Sequence, residues 1–346
     1  MVRTVLSRRA SRTSAPGVGA GGQRFTWQQS MLRVKDPEAS LRFYRDALGL
    51  TLVDRYDFDA GEFSLYFLQS LSSPPGHEPG TQAAHDYLWG TEGTVVELTH
   101  NWGTEKEDGP VYHPGNAEGD GFGHLCVACP DVGAACDRLE AAGVSFKKRP
   151  SEGRMAGIAF LYDPDGYWVE VVKRGTANAP EGTPELVLAQ TMLRVKDPSK
   201  TIPFYEDLMG MTLVRASDYG DFSNYFLATL TPELAAAAPP PDGPDAKAFM
   251  EEELYARAVP VLELTHNHGT EADAAFSHNS GNEEPRRGFG HVGFLVDDVY
   301  AASEALEGAG VDFKKRPDEG SMKGLAFAKD PDGYWVELVK RNWAGP

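Results

Sequence analysis

The sequence predicts an α+β fold built from four βαβββ modules, two in each half of the chain. The first observation behind this prediction is an internal duplication, because repeats of this length indicate duplicated structural units. The second is that a β-rich run, a helical pattern and further β-rich runs occur twice within each half. Four blocks recur in the same order: MLRVKDP at 31–37 and 192–198, LTHN at 98–101 and 264–267, GFGH at 121–124 and 288–291, and DPDGYWVE at 163–170 and 330–337.

The elements of the first half follow from local patterns. Asp36-Pro37 is a helix-start signal, and the periodic apolar positions after it end at Gly49. A second amphipathic helix is predicted over 132–142, where Gly143 ends it. The predicted strands lie at or near 28–34, 63–68, 94–99, 124–128, 157–161 and 167–172. The second half repeats this order.

The length of 346 residues exceeds what one hydrophobic core usually serves, so two domains are expected. The duplicated blocks place the first domain at 25–174 and the second at 187–342. Residues 175–186 are rich in Gly, Pro and Thr and are predicted to be the linker.

Residues 1–24 differ from the rest, because they contain five arginines and no acidic side chain. This composition is typical of an organelle transit peptide, so we predict a disordered leader outside the fold. A mitochondrial or plastid location follows if the leader is a transit peptide, and a cytoplasmic location follows otherwise.

Charge and composition exclude several classes of function. The chain has 33 basic and 51 acidic side chains, and a net charge of -18 repels phosphate backbones, so we expect no nucleic-acid partner. No run approaches the roughly 20 apolar residues that span a bilayer, so we expect no membrane partner. Cys126 and Cys129 lack the second C-x-x-C pair of a four-thiolate zinc site, and we interpret them, with Cys136, as small buried side chains.

Polar side chains recur on predicted strands that are otherwise apolar. Gln29 points to the same strand face as Met31 and Arg33, and Glu97 to the same face as Thr99 and Asn101. In the second module, His124 begins a strand and Glu170 lies within the apolar strand YWVEVV. A single such residue is more often a surface position, but four of them occurring twice favour a common site. Amide, carboxylate and imidazole groups are ligands for divalent metals, and a cation offsets the cost of burying an ionised glutamate. The second half repeats the four residue types as Gln190, Glu263, His291 and Glu337.

The motifs QQSMLRVKDP, VELTHNWGTE, GFGH and DPDGYWVEVV closely resemble those of the glyoxalase I (lactoylglutathione lyase) family of the vicinal oxygen chelate superfamily. The resemblance runs from about residue 27 to 341. It implies the fused form of the family, in which two domains in one chain replace a homodimer and form a pseudo-two-fold dimer. A monomer is therefore expected.

The resemblance also implies which residues share a metal, because each centre in this family lies between two halves. Site A would then consist of Gln29, Glu97, His291 and Glu337, and site B of Gln190, Glu263, His124 and Glu170. The long loops at 72–93 and 231–259 resemble those of the zinc-using members, so zinc is expected, with nickel or another divalent metal as the alternative. Glu337 and Glu170 would be the catalytic bases, with Glu97 and Glu263 as their acid/base partners.

The implied substrate is the hemithioacetal of methylglyoxal and glutathione, and the implied product is S-lactoylglutathione, formed through an enediolate. Glutathione carries two carboxylates, which the family pattern assigns to basic and amide side chains. In site A these are Arg33, Asn101, Arg287 and Lys315, and in site B they are Arg194, Asn267 and Lys148.

Site B departs from the family pattern at one position. Arg287 lies four residues before His291, whereas Asp120 lies four residues before His124. An anion in place of a cation would weaken substrate binding by about 1–3 kcal/mol in a partly wet cleft. We therefore predict that site A is the efficient centre, although a nearby Lys or Arg in site B would make the sites equal.

Two other functions of the same superfamily fit this sequence less well. Extradiol ring-cleaving dioxygenases need two histidines and a glutamate for iron, whereas each set here has one histidine. A metal-free drug-binding protein would have no use for eight metal-capable side chains. His100 and His266, three residues after the ligand glutamates, are predicted to be structural.

Overall fold

The computed structural model describes residues 15–153 and 155–343, and its strands and helices have the predicted α+β character. The strands of the first half are β1 (Phe25–Arg33), β2 (Thr51–Phe58), β3 (Phe63–Gln69), β4 (Val95–Asn101), β5 (Phe122–Cys129), β6 (Phe146–Lys148), β7 (Ala159–Tyr162) and β8 (Trp168–Lys173). Those of the second half are β9 (Val187–Arg194), β10 (Thr212–Asp218), β11 (Phe222–Ala228), β12 (Val261–Asn267), β13 (Phe289–Val296), β14 (Phe313–Lys315), β15 (Ala326–Lys329) and β16 (Trp335–Lys340).

Each module has the predicted order of one strand, a helix and three further strands. The helix after the first strand is α1 (Pro37–Leu41, continued by the π-helical Arg42–Ala47), α3 (Val132–Ala141), α4 (Pro198–Pro203, continued by Phe204–Leu208) and α7 (Val299–Gly308) in the four modules. The two long loops contain helices of their own, namely α2 (Gln82–Gly90), α5 (Pro232–Ala237) and α6 (Ala246–Phe249, continued by Met250–Leu254 and Tyr255–Arg257). Asp36 caps α1 as predicted, because its Oδ1 accepts hydrogen bonds from the N–H groups of Glu38 and Ala39.

The two sheets each combine one module from each half of the chain. The first has the strand order β14-β15-β16-β13-β1-β4-β3-β2, and the second β10-β11-β12-β9-β5-β8-β7-β6. At the centre of each sheet two modules meet through an antiparallel pair, β1 with β13 and β5 with β9. Strands that are far apart in sequence therefore lie side by side, and each sheet presents a face built from both halves.

Equivalent residues of the two halves meet at the centre of the molecule. Ser30 Oγ lies 2.8 Å from Thr191 Oγ1, and the rings of Phe122 and Phe289 stack with centroids 4.9 Å apart. Contacts between equivalent positions are the mark of a two-fold relation. The largest buried apolar cluster likewise contains residues of both halves, such as Leu32 and Phe294.

Hydrogen bonds within the two DPDGYWVE blocks stabilise the first residues of β8 and β16. Asp163 Oδ1 accepts hydrogen bonds from the N–H groups of Asp165 and Tyr167, both at 2.9 Å, and Asp163 Oδ2 accepts one from the Tyr44 hydroxyl at 2.8 Å. Tyr167 in turn donates to the carbonyl of Arg33. The repeated block therefore fixes the strand that carries Glu170, and its equivalent at Asp330 does the same for Glu337.

The prediction of a disordered leader over 1–24 is wrong for residues 15–24. Gly17 N donates to the carbonyl of Gly210 at 3.0 Å, and Val18 forms a β-bridge with Arg24. Gly19 lies so close to the backbone of Leu208 that a Cβ there would clash with it. The contacts of Gly17 and Gly19 are made with the second half and hold the segment on the fold. Residues 1–14 lie outside the described residues. Among the described residues, no helix is long and apolar enough to cross a membrane.

Candidate metal centres

Site A lies on four adjacent strands of the first sheet. Gln29 Nε2 donates to Glu97 Oε2 at 2.8 Å and to Glu337 Oε2 at 2.5 Å, and it lies 3.2 Å from His291 Nε2. His291 Nε2 is itself 3.2 Å from Glu337 Oε2 and 3.4 Å from Glu97 Oε2. All four side chains are buried. The structure thus brings together two residues from each half of the chain.

Site B has the same arrangement in the second sheet. Gln190 Nε2 donates to Glu170 Oε2 at 2.6 Å and to Glu263 Oε2 at 2.7 Å. His124 Nε2 lies 3.3 Å from Glu170 Oε2 and 3.6 Å from Glu263 Oε2. In both sites the ligand atoms of the histidine and the two glutamates lie within 4.8 Å of one another.

Strand register explains the convergence in site A. Gly293 pairs with Gln29 on one side and with Glu337 on the other. A Cβ at Gly293 would meet Gln29 Cγ at 2.5 Å, so glycine leaves room for the amide between the two neighbouring strands. In site B the residue between Gln190 and Glu170 is the buried Cys126. The two sites therefore share their ligand types but differ in the packing behind them.

The electrostatics of both sites reflect buried acids around an imidazole. Burial alone lowers the pKa of His291, but Glu337 and Glu97 outweigh it and raise the pKa to about 9. The pKa of His124 is raised to about 9 in the same way by Glu170 and Glu263. Burial raises the pKa of the Glu263 carboxyl. The two buried carboxylates of each site need a positive charge nearby, and without a metal ion the protonated histidine provides it.

The donor set of site A fits a divalent metal ion. Carboxylate oxygens, an imidazole nitrogen and an amide oxygen are the ligands of zinc and related cations. Gln29 Oε1 is buried without a hydrogen-bond partner among the described residues, which is unusual for a buried polar atom unless a ligand is bound there. A cation coordinated by these groups would satisfy that oxygen and balance the two carboxylates.

Other side chains orient the ligands. Thr99 Oγ1 donates to Glu97 Oε1 at 3.1 Å in site A, whereas Asn224 Nδ2 donates to Glu263 Oε1 at 2.5 Å in site B. The Tyr255 hydroxyl donates to Gln190 Oε1 at 2.7 Å. Partners of this kind fix the orientation of metal ligands.

A cavity opens from each cluster, and two of the three arginines assigned to the substrate, Arg33 and Arg194, line these cavities. The site A cavity has a volume of about 220 Å³ and is lined by Arg33, and the site B cavity has about 700 Å³ and is lined by Arg194 and Asn267. Burial lowers the pKa of Arg33 and of Arg194. Asn101 is placed differently, because its side chain donates to the Tyr112 hydroxyl.

The sequence did not suggest the asparagines that hold these arginines. Arg33 Nη2 donates to Asn282 Oδ1 at 3.0 Å, and Arg194 Nη2 donates to Asn116 Oδ1 at 2.8 Å. Both asparagines follow a glycine a few residues before GFGH, so the repeat contained a signal that the block comparison missed. Tyr255 and Asn224 have no such signal, because the first half has Trp89 and Leu65 at the equivalent positions.

The lysines assigned to the glycyl carboxylate hold loops at the cavity edge. Lys315 Nζ donates to the carbonyls of Met322 and Leu325 at 2.7 and 2.6 Å, and both of these residues line the site A cavity. Lys148 Nζ makes the equivalent bonds to the loop of site B, at 2.7 and 2.8 Å. Each lysine therefore shapes the wall of its site.

Asp120 has hydrogen-bond partners that the sequence did not indicate. Its Oδ2 accepts hydrogen bonds from His113 Nε2 and the N–H of Ala117, both at 2.7 Å, and its Oδ1 accepts one from Arg286 Nη1 at 3.2 Å. The carboxylate is thus paired with a cation of the second half, and it does not line the site B cavity. Arg287 is near enough to Arg33 to lower the pKa of that guanidinium, after burial. The charge difference at this position is therefore smaller than the sequence alone indicates.

Two groups of residues have the structural positions that we predicted. His100 and His266 are buried and bind Glu105 and Glu271 at 2.9 and 2.8 Å, away from the ligand clusters. All three cysteines are buried and free.

Comparison with known proteins gives consistent results. The family model of the Glyoxalase/Bleomycin resistance protein/Dioxygenase superfamily matches residues 27–171 and 187–338. The chain is 41% identical over 316 residues to the lactoylglutathione lyase of Schizosaccharomyces pombe, with 90% of this chain and 95% of that protein covered. It is 39% identical to the glyoxalase I of Saccharomyces cerevisiae, covering 89% and 90%. The fold is similar to that of glyoxalase I from Zea mays, with a TM-score of 0.65, 24% identity and 92% and 93% of the chains covered.

Proposed function

Because the chain belongs to the Glyoxalase/Bleomycin resistance protein/Dioxygenase superfamily, we propose that it is a lactoylglutathione lyase with two centres. Its reaction is the isomerisation of the methylglyoxal–glutathione hemithioacetal to S-lactoylglutathione. The observation that carries this function is the pair of buried clusters, each with one histidine, one glutamine and two glutamates. Two proteins named for this activity are about 40% identical over nearly the whole chain.

The metal is proposed to be zinc, held by Gln29, Glu97, His291 and Glu337 in site A and by Gln190, Glu263, His124 and Glu170 in site B. Nickel is the alternative, because the same oxygen and nitrogen ligands bind both ions. When bound, the metal supplies Lewis-acid stabilisation of the negative charge that develops on the substrate oxygens.

The protein's own part in the reaction is proton transfer. In site A, Glu337 removes the proton from C1 of the hemithioacetal, and a proton is returned to C2 to complete the isomerisation. Glu97 is the acid/base partner on the opposite face. In site B, Glu170 and Glu263 take these roles. In site A, apolar side chains such as Phe327 and Val339 line the cavity around the metal ligands and limit access of water to the enediolate.

Glutathione binding is proposed to use the basic and amide side chains that the family pattern assigns to its two carboxylates. Arg33, Asn101 and Arg287 would bind the γ-glutamyl end in site A, and Arg194 and Asn267 would do so in site B. Lys315 and Lys148 would bind the glycyl carboxylate. An ammonium group has three N–H donors, and Lys315 uses two of them for the loop, which leaves one for the substrate.

The test is the growth of thioester absorbance when the purified chain is mixed with methylglyoxal and glutathione. Activity should be lost after treatment with a strong chelator and restored by zinc. An inactive but fully zinc-loaded protein would contradict the proposal and favour a binding protein. The dioxygenase alternative is disfavoured because each cluster has one histidine.

Two structural features bear on the location of the protein and on its assembly. We propose that the leader is a transit peptide whose cleavage site lies before residue 15, since 15–24 are bound to the fold. We propose a monomer, because the two halves already complete both sites. N-terminal sequencing of the mature protein and its mass in solution test these two points.

A further inference from the structure

The substrate has two ends, and strand register defines which part of each cavity holds them. Arg33 and Arg194 mark the glutathione end, so the aldehyde substituent extends to the opposite side of Gln29 and Gln190. Val339 pairs across β13 with Leu295, on the far side of Gln29 from Arg33. Val172 takes the equivalent place in site B, level with Ala128 and Val187. Both valines line their cavities.

In site A this aldehyde end is walled by aromatic rings. The Trp89 and Trp343 rings have centroids 5.4 Å apart, and Tyr56 lies 6.5 Å from Trp343. Within this wall, Trp89 Nε1 donates to the Tyr56 hydroxyl at 2.8 Å. Among the described residues, the charged side chains that line this cavity are Arg33 and the metal-binding set. The end is therefore suited to an apolar group.

In site B the equivalent end is polar and wider. Tyr255 replaces Trp89, each eight residues before its ligand glutamate, and its hydroxyl binds the amide of Gln190. Arg215, Lys247 and Glu251 also line this cavity. Lys247 and Glu251 form an ion pair at 3.5 Å, and Arg215 lies over the ring of Phe226.

The path of the chain after β16 and after β8 is a further difference between the cavities of site A and site B. After β16 the chain places Trp343 in the wall of site A. After β8 it turns into the linker, where Gly175 N donates to the carbonyl of Glu251 at 2.9 Å. Site A is closed by a ring at this point, while the site B cavity is about three times larger, at about 700 Å³ against 220 Å³.

From these walls we infer that the two centres act on different 2-oxoaldehydes. Site A takes hemithioacetals whose aldehyde substituent is apolar or aromatic, and site B takes those whose substituent carries hydroxyl groups, as in sugar-derived 2-oxoaldehydes. A hydroxyl group buried against the rings of site A would lose its hydrogen bonds to water, which costs on the order of tenfold or more in binding. In site B such hydroxyls meet Arg215, Lys247 and Glu251. This inference rests on the proposed lyase activity.

The first experiment measures kcat/KM of two single-site chains. Glu170→Gln leaves site A as the working centre, and Glu337→Gln leaves site B. Each is assayed with the glutathione hemithioacetals of phenylglyoxal and of a hexosulose, with methylglyoxal as reference. We expect the phenylglyoxal-to-hexosulose ratio to be at least about 100-fold higher for site A, from two or more hydroxyls at about tenfold each. Equal ratios in the two chains would overturn the inference. Failure of both chains and of the unchanged protein with methylglyoxal would instead refute the lyase activity.

The second experiment uses the unchanged protein and does not depend on the variants folding. If the sites differ as inferred, phenylglyoxal and hexosulose substrates turned over together give rates that add. If they share sites, each inhibits the other, and the inference fails.

A third measurement needs no turnover. The metal-free protein is titrated with S-benzylglutathione, whose benzyl group belongs in the aromatic end. Trp343→Ala should weaken this binding about tenfold, and Lys247→Ala, in the other site, should leave it unchanged. Equal effects of the two substitutions would contradict the assignment.

Discussion

Lys315 is the residue whose replacement best separates binding of the substrate from shaping of the site. Lys315→Met keeps the length of the side chain and removes the two hydrogen bonds to the carbonyls of Met322 and Leu325. A hydrogen bond from a charged donor contributes roughly 1.5–3 kcal/mol when buried. Lys315 is only partly buried, so we take about 1 kcal/mol for each bond, or about 2 kcal/mol together. This corresponds to a roughly 30-fold change in an equilibrium constant.

We expect this loss to appear in KM, because the loop that Lys315 holds forms part of the cavity wall. The assay is steady-state turnover of methylglyoxal and glutathione by a chain in which Glu170→Gln has disabled site B. Lys315→Met should raise KM about 30-fold with little change in kcat, which is the pattern of lost uniform binding. Lys148→Met in the same chain is the matched control, since Lys148 holds the equivalent loop of the disabled site.

Glutathione with an esterified glycyl carboxylate separates the two roles of Lys315. If the lysine acts mainly through the loop, most of the increase in KM remains with the ester. If the effect of the substitution disappears with the ester, the lysine acts by contact with the carboxylate. An unchanged KM with either thiol would refute the reasoning on both roles.

Three further predictions concern pH and charge. The pKa of about 9 for His291 means that the metal-free histidine is protonated below that pH, so metal binding must release a proton and the affinity should fall about tenfold per pH unit lowered from 9 towards 7. Competition with a coloured chelator measures this, and a pH-independent affinity would contradict it. Because the pKa of His291 is raised from 6.5 to about 9 in the folded state, protonated His291 stabilises the metal-free fold. This contribution is complete below pH 6.5 and is lost as the pH rises through 9. Asp120→Asn removes a carboxylate that binds His113 and Arg286, so it should lower the free energy of unfolding by about 1–3 kcal/mol and should not increase the activity of site B. The activity of site B is measured in the Glu337→Gln chain. An increase there would support the view that the anion hinders substrate binding.

Much of the metal centre could be predicted from the sequence because both halves of the chain contain the same four ligand types in corresponding blocks. Strand alternation placed Gln29 and Glu97 on common faces, and the second half repeated both residue types. What the residues alone left open was the pairing of modules, because a glutamate of the first half could equally meet a histidine of its own half. The family resemblance supplied the answer that the strand order β13-β1 now shows.

The features that were missed depend on contacts without a local pattern. Residues 15–24 were assigned to the leader because residues 1–24 contain five arginines and no acidic side chain, yet Gly19 packs against Leu208, which is far away in sequence. Asp120 looked like an unpaired anion, because no pattern in the sequence around it indicates its contact with Arg286. Tyr255 was missed for another reason, since comparison of repeats detects what the halves share and overlooks what differs between them.

The pairing of ligands across the halves is tested most directly by the metal content of two double variants. Gln29→Ala with His291→Ala removes two ligands of one site, whereas Gln29→Ala with His124→Ala removes one ligand from each site. Metal is measured by mass spectrometry after dialysis, with circular dichroism to verify that both chains are folded. The account predicts that the first variant retains half of the metal of the unchanged chain and that the second retains almost none. The reverse result would place Gln29 with His124 and contradict the two centres described.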